Sequence, residues 1–161
     1  MILLAPAPAV ALHIQCTAGA VVQVALSLHA TFSCHIDGAT PTIKQNLVRW
    51  LLEYAEKKPG PLPSSFSLEG LSPFQKRVLE KMGNIPFGEA KSYRELATLS
   101  GNPKASRAVG GACNKNPFPL FFPCHRIIQS DGSLGGFAGG GEIKRRLLAF
   151  ERNYAKNTHS F

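Results

Sequence analysis

The chain has 161 residues, of which 44% are hydrophobic and 17% are charged, and its formal net charge is +8. This length and composition predict a globular protein with one substantial core or two small ones. Its four cysteines show no regular spacing and no CxxC pair, which argues against a disulfide framework and favours a reducing cytoplasm. The apolar residues 1–12 lack a basic leader and are too few to span a bilayer, so we expect no membrane association.

The positive charge is confined to the second part of the chain. Residues 1–71 hold four Lys or Arg and four Asp or Glu, whereas residues 72–161 hold fourteen against six, so the net charges are zero and +8. A basic surface restricted to one part is typical of a protein that binds a phosphate backbone. A soluble protein that is merely basic is the alternative.

The first part predicts strands followed by one helix. Between Val10 and Asp37 the chain is rich in Val, Leu and Ile with partial alternation, broken near residues 17–20, which predicts two or three strands that start with a hairpin. An apolar face at helical spacing then predicts a helix that covers the sheet. That face consists of Ile43, Leu47, Trp50, Leu51 and Tyr54. Lys57–Ser65 carries three prolines and a glycine, so we place the boundary there, between domains 1–65 and 66–161.

The second part opens with signals of a helix-turn-helix unit. Ser72, Pro73 and Gln75 form a capping-box pattern, which predicts a helix that runs to about Gly83. Ser92 and Glu95 repeat the pattern, and Gly101 suits the left-handed residue that ends a helix. Asn102 and Pro103 should start the next helix at once.

The second helix of this pair is slim and carries Arg107. Its small residues are Ala105, Ser106, Ala108, Gly110, Gly111 and Ala112. Such a helix can approach the floor of a DNA minor groove, while a lone arginine enters the base stack. The alternative is a helix that packs tightly on its neighbour through small residues, and the two can hold on different faces.

The rest of the second part predicts a hairpin, a loop and a last helix. Phe118–Phe122 looks like a buried extended segment, and residues 127–134, with a turn at Asp131 and Gly132, predict a short hairpin. Gly135–Gly141 should form a tight loop. A last helix should bury Ile143, Leu147, Leu148 and Tyr154. We therefore predict an α+β fold, in which a small sheet with one helix precedes a mainly helical, DNA-binding domain.

The chemistry points to Cys124, which lies between Pro123 and His125. A thiol reacts as its thiolate, and a neighbouring imidazole or the guanidinium of Arg126 would lower its pKa. Glu151 lies on the apolar face of the last helix, and a buried carboxylate needs a partner. It would orient His125 as in an activated nucleophile, or form a structural pair with one of the arginines. Cys124 as an ordinary buried cysteine is the plain alternative.

A metal site is not predicted. The first 35 residues hold His13, Cys16, His29, Cys34 and His35, but their spacing follows none of the common zinc patterns. We interpret them as scattered strand residues and expect no metal and no organic cofactor.

Four motifs in the second part resemble the O6-alkylguanine-DNA alkyltransferases. They are IPFGEAKSY at residues 85–93, GNPKASRAVGGACNKNP at 101–117, PCHR at 123–126 and GGFAGG at 135–140. The resemblance covers roughly residues 66–151, whereas the first part matches only in outline. It implies a protein that moves the alkyl group from O6-alkylguanine in duplex DNA irreversibly to its own cysteine. O4-alkylthymine stays open as a second substrate, and no obligate protein partner is implied.

The resemblance also implies roles for individual residues. Cys124 would accept the alkyl group, His125 would deprotonate it through a water, and Glu151 would orient His125. Asn116 would brace the turn before the reactive segment, and Tyr93 would help to rotate the nucleotide and donate a proton to guanine N3. Contacts to DNA would come from Arg107, which fills the vacated stack, and from Gln75, Arg94, Asn102 and Ser130. The lesion pocket would include Pro119, Ile127, Phe137, Ala138 and Gly139.

Two departures and two alternatives accompany this interpretation. Phe137 and Ala138 stand where some members carry Tyr and Ser, so backbone amides of Ala138 and Gly139 would replace those hydroxyl groups. A lesion sensor of the alkyltransferase-like kind lacks the acceptor thiol, and Cys124 argues against it. A cysteine hydrolase would leave the basic groove helix unexplained, and no oxyanion-hole motif is present.

Overall fold

The computed structural model describes residues 2–3, 7–63, 65–137 and 139–158, with side chains for 7–63, 65–137 and 139–152. The chain divides into two compact units, residues 1–68 and 69–161. The first unit is a small sheet with one helix and the second is mainly helical, as the predicted α+β class requires. The unit border lies just beyond the proline-rich segment in which we placed it. Among the described residues, no helix has the length and apolar character needed to cross a membrane.

The first unit is built on a four-stranded sheet. Its strands are β1 (Ile2–Leu3), β2 (Val10–Thr17), β3 (Ala20–Leu28) and β4 (Phe32–Asp37), in the spatial order β1-β4-β2-β3. The predicted hairpin joins β2 and β3 through Ala18 and Gly19, both at positive φ. β4 returns to pair with β2 in parallel, and β1 pairs antiparallel with β4.

One face of this sheet is buried and the other is open to solvent. On β2 the buried residues alternate strictly with more exposed ones, starting from Val10. Helix α1 (Pro41–Ala55) is capped by Thr40 and buries all five residues of its predicted apolar face. Its Tyr54 ring lies 5.9 Å from the ring of Phe32 on β4, which joins the helix to the sheet.

Four helices form the second unit. They are α2 (Pro73–Gly83), α3 (Tyr93–Leu99), α4 (Ser106–Asn114) and α5 (Gly141–Thr158). Both predicted capping boxes are confirmed, at Ser72 with Gln75 and at Ser92 with Glu95. Gly101 has a φ of 91°, as expected for the residue that ends α3. A two-stranded parallel sheet completes the unit, with β5 (Lys91–Ser92) beside β6 (Ile127–Ile128).

The start of α4 was predicted four residues too early. Asn102 and Pro103 belong to a turn, and the helix begins at Ser106. The Asn102 side chain accepts a hydrogen bond from the Lys104 N–H, and its carbonyl accepts one from the Ala105 N–H. Asparagine favours such local bonds over a helical start, which explains the delay.

Two other details of the second unit differ from prediction. Phe118–Phe122 is largely buried, as predicted, but it is not extended, because the Phe122 N–H bonds back to the Phe118 carbonyl and Leu120 has a φ of 76°. The hairpin prediction was wrong in its pairing: the chain does reverse where the Gln129 N–H bonds to the Ser133 carbonyl, but β6 pairs in parallel with β5. Glycine-rich chain after residue 134 disfavours a second strand there.

The last helix agrees with its predicted apolar face. Ile143, Leu147 and Leu148 are buried on α5, as is Glu151. The side chain of Tyr154 and the whole of Ala138 lie outside the described residues, so the predictions made for them stay predictions.

Gly38 should be the glycine on which the first unit depends most. It has a φ of 73°, and a Cβ there would overlap the carbonyl oxygen of Cys16, whereas Gly19, with a φ of 82°, has open space. We expect Gly38→Ala to lower the free energy of unfolding by about 3 kcal/mol, the sum of left-handed strain and overpacking. Gly19→Ala should cost only the strain, about 1 kcal/mol. Urea unfolding followed by fluorescence of Trp50, the single tryptophan, measures both, and equal losses would contradict the clash.

Candidate active site

The segment that holds Cys124 is a short turn between buried Pro123 and strand β6. Cys124–Arg126 forms one turn of 3₁₀ helix after Pro123, and β6 follows directly. The Cys124 N–H bonds to the Phe122 carbonyl and the Arg126 N–H to the Pro123 carbonyl. These bonds fix the backbone on both sides of the thiol.

Asn116 closes the turn that leads into this segment. Its side-chain N–H donates to the Phe122 carbonyl at 2.8 Å, and its oxygen accepts from the Phe118 N–H at 2.9 Å. The side chain is buried, so both ends of the amide are satisfied within the protein. This geometry agrees with the bracing role expected from the resemblance.

The Cys124 thiol is buried, with only 4% of the residue exposed. Burial raises the pKa of this thiol to about 11, against the opposing effects of a hydrogen bond from Asn116 and the positive charge of Lys144. The sequence suggested that the side chains of His125 and Arg126 lower the pKa of the thiol, but neither does: His125 acts through its backbone N–H, and Arg126 is turned to Glu151. The cation that favours the thiolate is Lys144 instead.

Lys144 is a residue that the sequence analysis missed. It is fully buried on α5, and its Nζ donates to the Ile127 carbonyl at 2.5 Å and to the Gly136 carbonyl at 3.4 Å. Burial lowers the pKa of Lys144, while the Cys124 and Cys113 thiolates would raise it. The signal was present: Lys144 lies seven residues before Glu151 and four before Leu148, on the same apolar face.

Glu151 pairs both with His125 and with an arginine, the two alternatives that the sequence analysis left open. Its Oε1 accepts from His125 Nε2 at 2.7 Å, and its Oε2 accepts from Arg126 Nε at 2.8 Å. Only 1% of its side chain and none of that of His125 is exposed. Burial opposes ionisation of Glu151, but His125 and Arg126 outweigh it and hold the pKa of the carboxyl far below its ordinary value.

His125 is held with one ring nitrogen occupied and the other available. Burial lowers the pKa of His125 despite the favourable charge of Glu151, so the ring is neutral. With Nε2–H donated to Glu151, the lone pair is on Nδ1, which has no hydrogen-bond partner among the described residues. A neutral imidazole in this tautomer can accept a proton.

The pairing of β5 with β6 sets the position of Tyr93. Lys91 and Ser92 lie opposite Ile127 and Ile128, so the first residue of α3 is brought next to the reactive turn. The hydroxyl of Tyr93 donates to the Gly136 carbonyl at 3.4 Å, and burial raises its pKa to about 12. It is therefore a protonated donor at neutral pH.

An open cleft of about 300 Å³, at the lower end of the range for small-molecule sites, meets the site at Tyr93. Neither Cys124 nor His125 is among its described lining residues. The cleft is lined by Tyr93, Ser106, Arg107, Gly110, Asn114, Gln129 and Gly136. Of these, only Tyr93 and Arg107 were singled out from the sequence as site residues. The small side chains at Ser106 and Gly110 leave the space, and Arg107 is exposed at its edge.

The residues expected to touch DNA lie largely on the surface. Arg94, Asn102, Arg107 and Ser130 are exposed, which leaves them accessible to a ligand. Gln75 is half-buried, and its side-chain oxygen accepts from the Ser72 N–H at 2.8 Å. The capping box therefore already uses the carbonyl end of Gln75, and only its amide N–H₂ group is left for DNA.

The expected lesion-pocket residues do not line this cleft. Ile127 is fully buried, and Pro119, Phe137 and Gly139 are half-buried. A Cβ on Gly139 would meet the Phe137 ring at 3.0 Å, so this glycine allows the aromatic ring to pack closely. Ala138 falls outside the described residues.

A family match covers half of the chain. A sequence model described as "6-O-methylguanine DNA methyltransferase, DNA binding domain" matches residues 73–153. The second unit therefore has the fold and the site of a DNA-binding domain of the 6-O-methylguanine DNA methyltransferases.

Relatives and solved structures extend the match. Methylated-DNA--protein-cysteine methyltransferase of Rattus norvegicus is 54% identical over 80 residues, which are 48% of this chain and 38% of the relative. The constitutive enzyme of Bacillus subtilis is 46% identical over 63% of this chain and 62% of its own length. The crystal structure of Mycobacterium tuberculosis OGT in complex with DNA has a TM-score of 0.69 at 30% identity, covering 88% of this chain and 93% of that one. The chain belongs to the 6-O-methylguanine DNA methyltransferase family, although it spans less than two thirds of these curated relatives.

Glu151 should be the most costly acid to neutralise. Glu151→Gln leaves Arg126 buried without its charge partner, and we expect a loss of about 3 kcal/mol in unfolding free energy. Glu142→Gln, on the same helix, removes only exposed pairs with Arg145 and Arg146 and should cost less than about 1 kcal/mol. Urea unfolding followed by circular dichroism compares the two variants.

The same pair predicts a dependence on pH. The folded-state pKa of Glu151 is depressed, so its stabilisation is complete above the ordinary value of 4.5 and is lost progressively as the pH falls below that value. The difference between the parent protein and Glu151→Gln should therefore shrink in acid. A difference that stays constant from pH 7 to the acid limit of the folded state would contradict the depressed pKa.

Proposed function

We propose that the protein is a single-turnover DNA repair enzyme that transfers the alkyl group of O6-alkylguanine in duplex DNA to its own Cys124. The observation that carries the proposal is a buried thiol followed directly by the His125–Glu151 pair, in a chain whose relatives are named methylated-DNA--protein-cysteine methyltransferases. According to that name, the methyl acceptor in the relatives is a cysteine of a protein.

The proposed reaction is a displacement at the saturated alkyl carbon. The Cys124 sulfur forms a bond to this carbon while the bond from the carbon to guanine O6 breaks. The thiol proton passes to Nδ1 of His125, directly or through a water, and Glu151 stabilises the imidazolium. The Tyr93 hydroxyl gives a proton to guanine N3, which leaves a tyrosinate. The proton held on His125 then passes through solvent to the Tyr93 oxygen, so that both side chains end neutral. The products are a neutral guanine and a thioether.

Lys144 has a defined part in this scheme. A thiol with a pKa of about 11 is almost wholly protonated at neutral pH, so it is protected from other electrophiles until a substrate is bound. The Nζ of Lys144 supplies the positive charge that favours the thiolate once the proton has left. Because a thioether has no easy route back to a thiol, each molecule acts once, and we expect no cofactor for the transfer.

Duplex DNA is the proposed partner because of the charge and the slim helix. The net charge of residues 72–161 is +8, and Arg107 stands exposed at the edge of the cleft on α4. A target inside the duplex must be rotated out to reach a thiol, and a side chain that fills the vacated stack makes this less costly. Exposed Arg94, Asn102 and Ser130 are the proposed contacts to the backbone. Placement in the cytoplasm with the nucleoid, or in the nucleus of a eukaryote, follows as part of the proposal.

Mass measurement tests the acceptor. After incubation with duplex DNA that contains O6-methylguanine, we expect intact-mass analysis to show the addition of one methyl group, on the peptide with Cys124. Cys124→Ser should abolish transfer and keep DNA binding. Cys113→Ala, at a second buried cysteine of the same unit, should still accept the group. Repeated turnovers, or methylation of another residue, would defeat the proposal.

The role of Arg107 is separable from the chemistry. Arg107→Ala should slow transfer from duplex DNA by about tenfold or more. Rotating the base out of the duplex costs a few kcal/mol, and a tenfold slower rate requires the loss of only about 1.4 kcal/mol of compensation by Arg107. Transfer from the free O6-alkylguanine base should be unchanged. Single-turnover rates on the two substrates measure this.

Arg94→Ala provides the matched control for Arg107. It removes an exposed guanidinium from α3, so DNA binding should weaken. The slope of the logarithm of the binding constant against the logarithm of the salt concentration should fall by about one, as for the loss of one phosphate contact, while the transfer rate at saturating DNA stays the same. Equal losses of the Arg107 variant on duplex and free base would rule out its role in extrusion.

A further inference from the structure

The exposed face of the first sheet carries a cluster of metal-binding side chains that the alkyl transfer does not use. His13 on β2 and His35 on β4 are register partners in the parallel pair. Asp37 lies two residues beyond His35 on β4, so its side chain is on the same face. All three residues are exposed.

The three side chains converge on one point. Nε2 of His13 lies 2.8 Å from Oδ2 of Asp37, and Nε2 of His35 lies 3.0 Å from Oδ1 of the same carboxylate. The two rings are 5.0 Å apart at 76°, so they approach the carboxylate from different directions. The possible ligand atoms all lie within 4.8 Å of one another, and no other such group occurs in the described ranges.

The pleat of the sheet separates this cluster from the cysteines nearby. Cys16 and Cys34 are buried on the opposite face, and burial raises the pKa of both thiols. His29 is also exposed, but it follows the end of β3 and its Nδ1 contacts Thr31. The donor set is therefore two imidazole nitrogens and one carboxylate oxygen, with no thiolate.

We propose that His13, His35 and Asp37 bind a divalent transition-metal ion such as Zn²⁺. Imidazole nitrogen suits Zn²⁺, Ni²⁺, Cu²⁺ and Fe²⁺, whereas Ca²⁺ and Mg²⁺ favour sets made only of oxygen. Three protein ligands on an open face leave the remaining coordination positions to water. The site revises our expectation that the histidines of the first part are scattered strand residues.

Small side-chain movements would convert the hydrogen-bonded triad into a metal site. With Zn–N distances of about 2.0–2.1 Å, the ligand atoms of a tetrahedral site lie about 3.3 Å apart. The two N–O distances of 2.8 and 3.0 Å would widen by a few tenths of an ångström, and no ligand pair is now more than 4.8 Å apart. The strand backbones fix the Cα positions, and exposed side chains can make movements of this size. Each ring would offer its Nε2 lone pair and keep one proton on Nδ1, and Asp37 would exchange its hydrogen bonds for a metal–oxygen bond.

The proposed ion would join two strands that are distant in sequence. β2 and β4 are neighbours in the sheet, but the whole of β3 lies between them in the chain. A bridge from His13 to His35 and Asp37 would therefore stabilise the first unit against unfolding, in proportion to the affinity for the ion. This role does not depend on the proposed alkyl transfer.

Calorimetric titration of the chelator-treated full chain with Zn²⁺ tests the proposal. We expect one saturable site, and a rise in the thermal midpoint of the unit that holds Trp50. His35→Ala and Asp37→Asn should each weaken binding by about tenfold or more, since even the loss of an outer partner of a ligand costs this much. His29→Ala removes an exposed imidazole outside the cluster and should leave binding unchanged.

Co²⁺ absorption identifies the donor atoms. We expect weak d–d bands without a thiolate-to-metal charge-transfer band, and their loss in the His13→Ala, His35→Ala double variant. Circular dichroism of the metal-free variants checks that the fold is kept, which the exposure of all three residues favours. Absence of a saturable Zn²⁺ site would overturn the proposal. So would a thiolate band, or affinity that survives the double variant.

Discussion

The carboxylate of Glu151 is the interaction on which the second unit depends. It receives His125 on one oxygen and Arg126 on the other, and Arg126 Nη1 also donates to the Ile85 carbonyl at 2.7 Å. The Gly88 N–H lies 3.4 Å from the same carboxylate. One acid thus ties α5 to the reactive turn and to the loop after α2. Buried ion pairs contribute little net stability compared with apolar packing of the same volume, so the value of this one lies in the geometry that it imposes.

This pairing also decides which charges act on the thiol. Arg126 follows the reactive cysteine closely in sequence, but Glu151 neutralises it, and its guanidinium stacks near the Phe87 ring. His125 is kept neutral by burial. Among the described residues, the cation that favours the thiolate is Lys144, which comes from a helix distant in sequence. In the proposed reaction, a neutral His125 would take up the proton while Lys144 stabilises the thiolate, so the two tasks fall to different side chains.

Local signals in the sequence were sufficient for α1, α2, α3 and α5 and for the burial of Glu151, but not for the start of α4. Capping boxes at Ser72 and Ser92 and the apolar spacing of α1 and α5 depend on neighbours a few residues away, so they can be read from the chain. Pairing of two-residue strands between residues 91–92 and 127–128 has no local signature, and the composition of residues 118–122 fits a strand and a buried turn equally well. Lys144 was missed for another reason: lysine is so seldom fully buried that its place on the apolar face drew no attention.

The same contrast explains why the sequence offered no reason to group His13 and His35 with Asp37. Alternation along β2 predicts which face each residue occupies, and it correctly separates His13 from Cys16. Alternation says nothing about which strand lies alongside, and the sequence predicted no pairing beyond the first hairpin. Only the parallel pairing of β2 with β4 sets His13 against His35, and only that register adds Asp37 to the set. Metal-ligand patterns defined by spacing along the chain describe sites within one loop or hairpin. A site assembled across a parallel pair has no such spacing, so it becomes visible only when strand order and register are known.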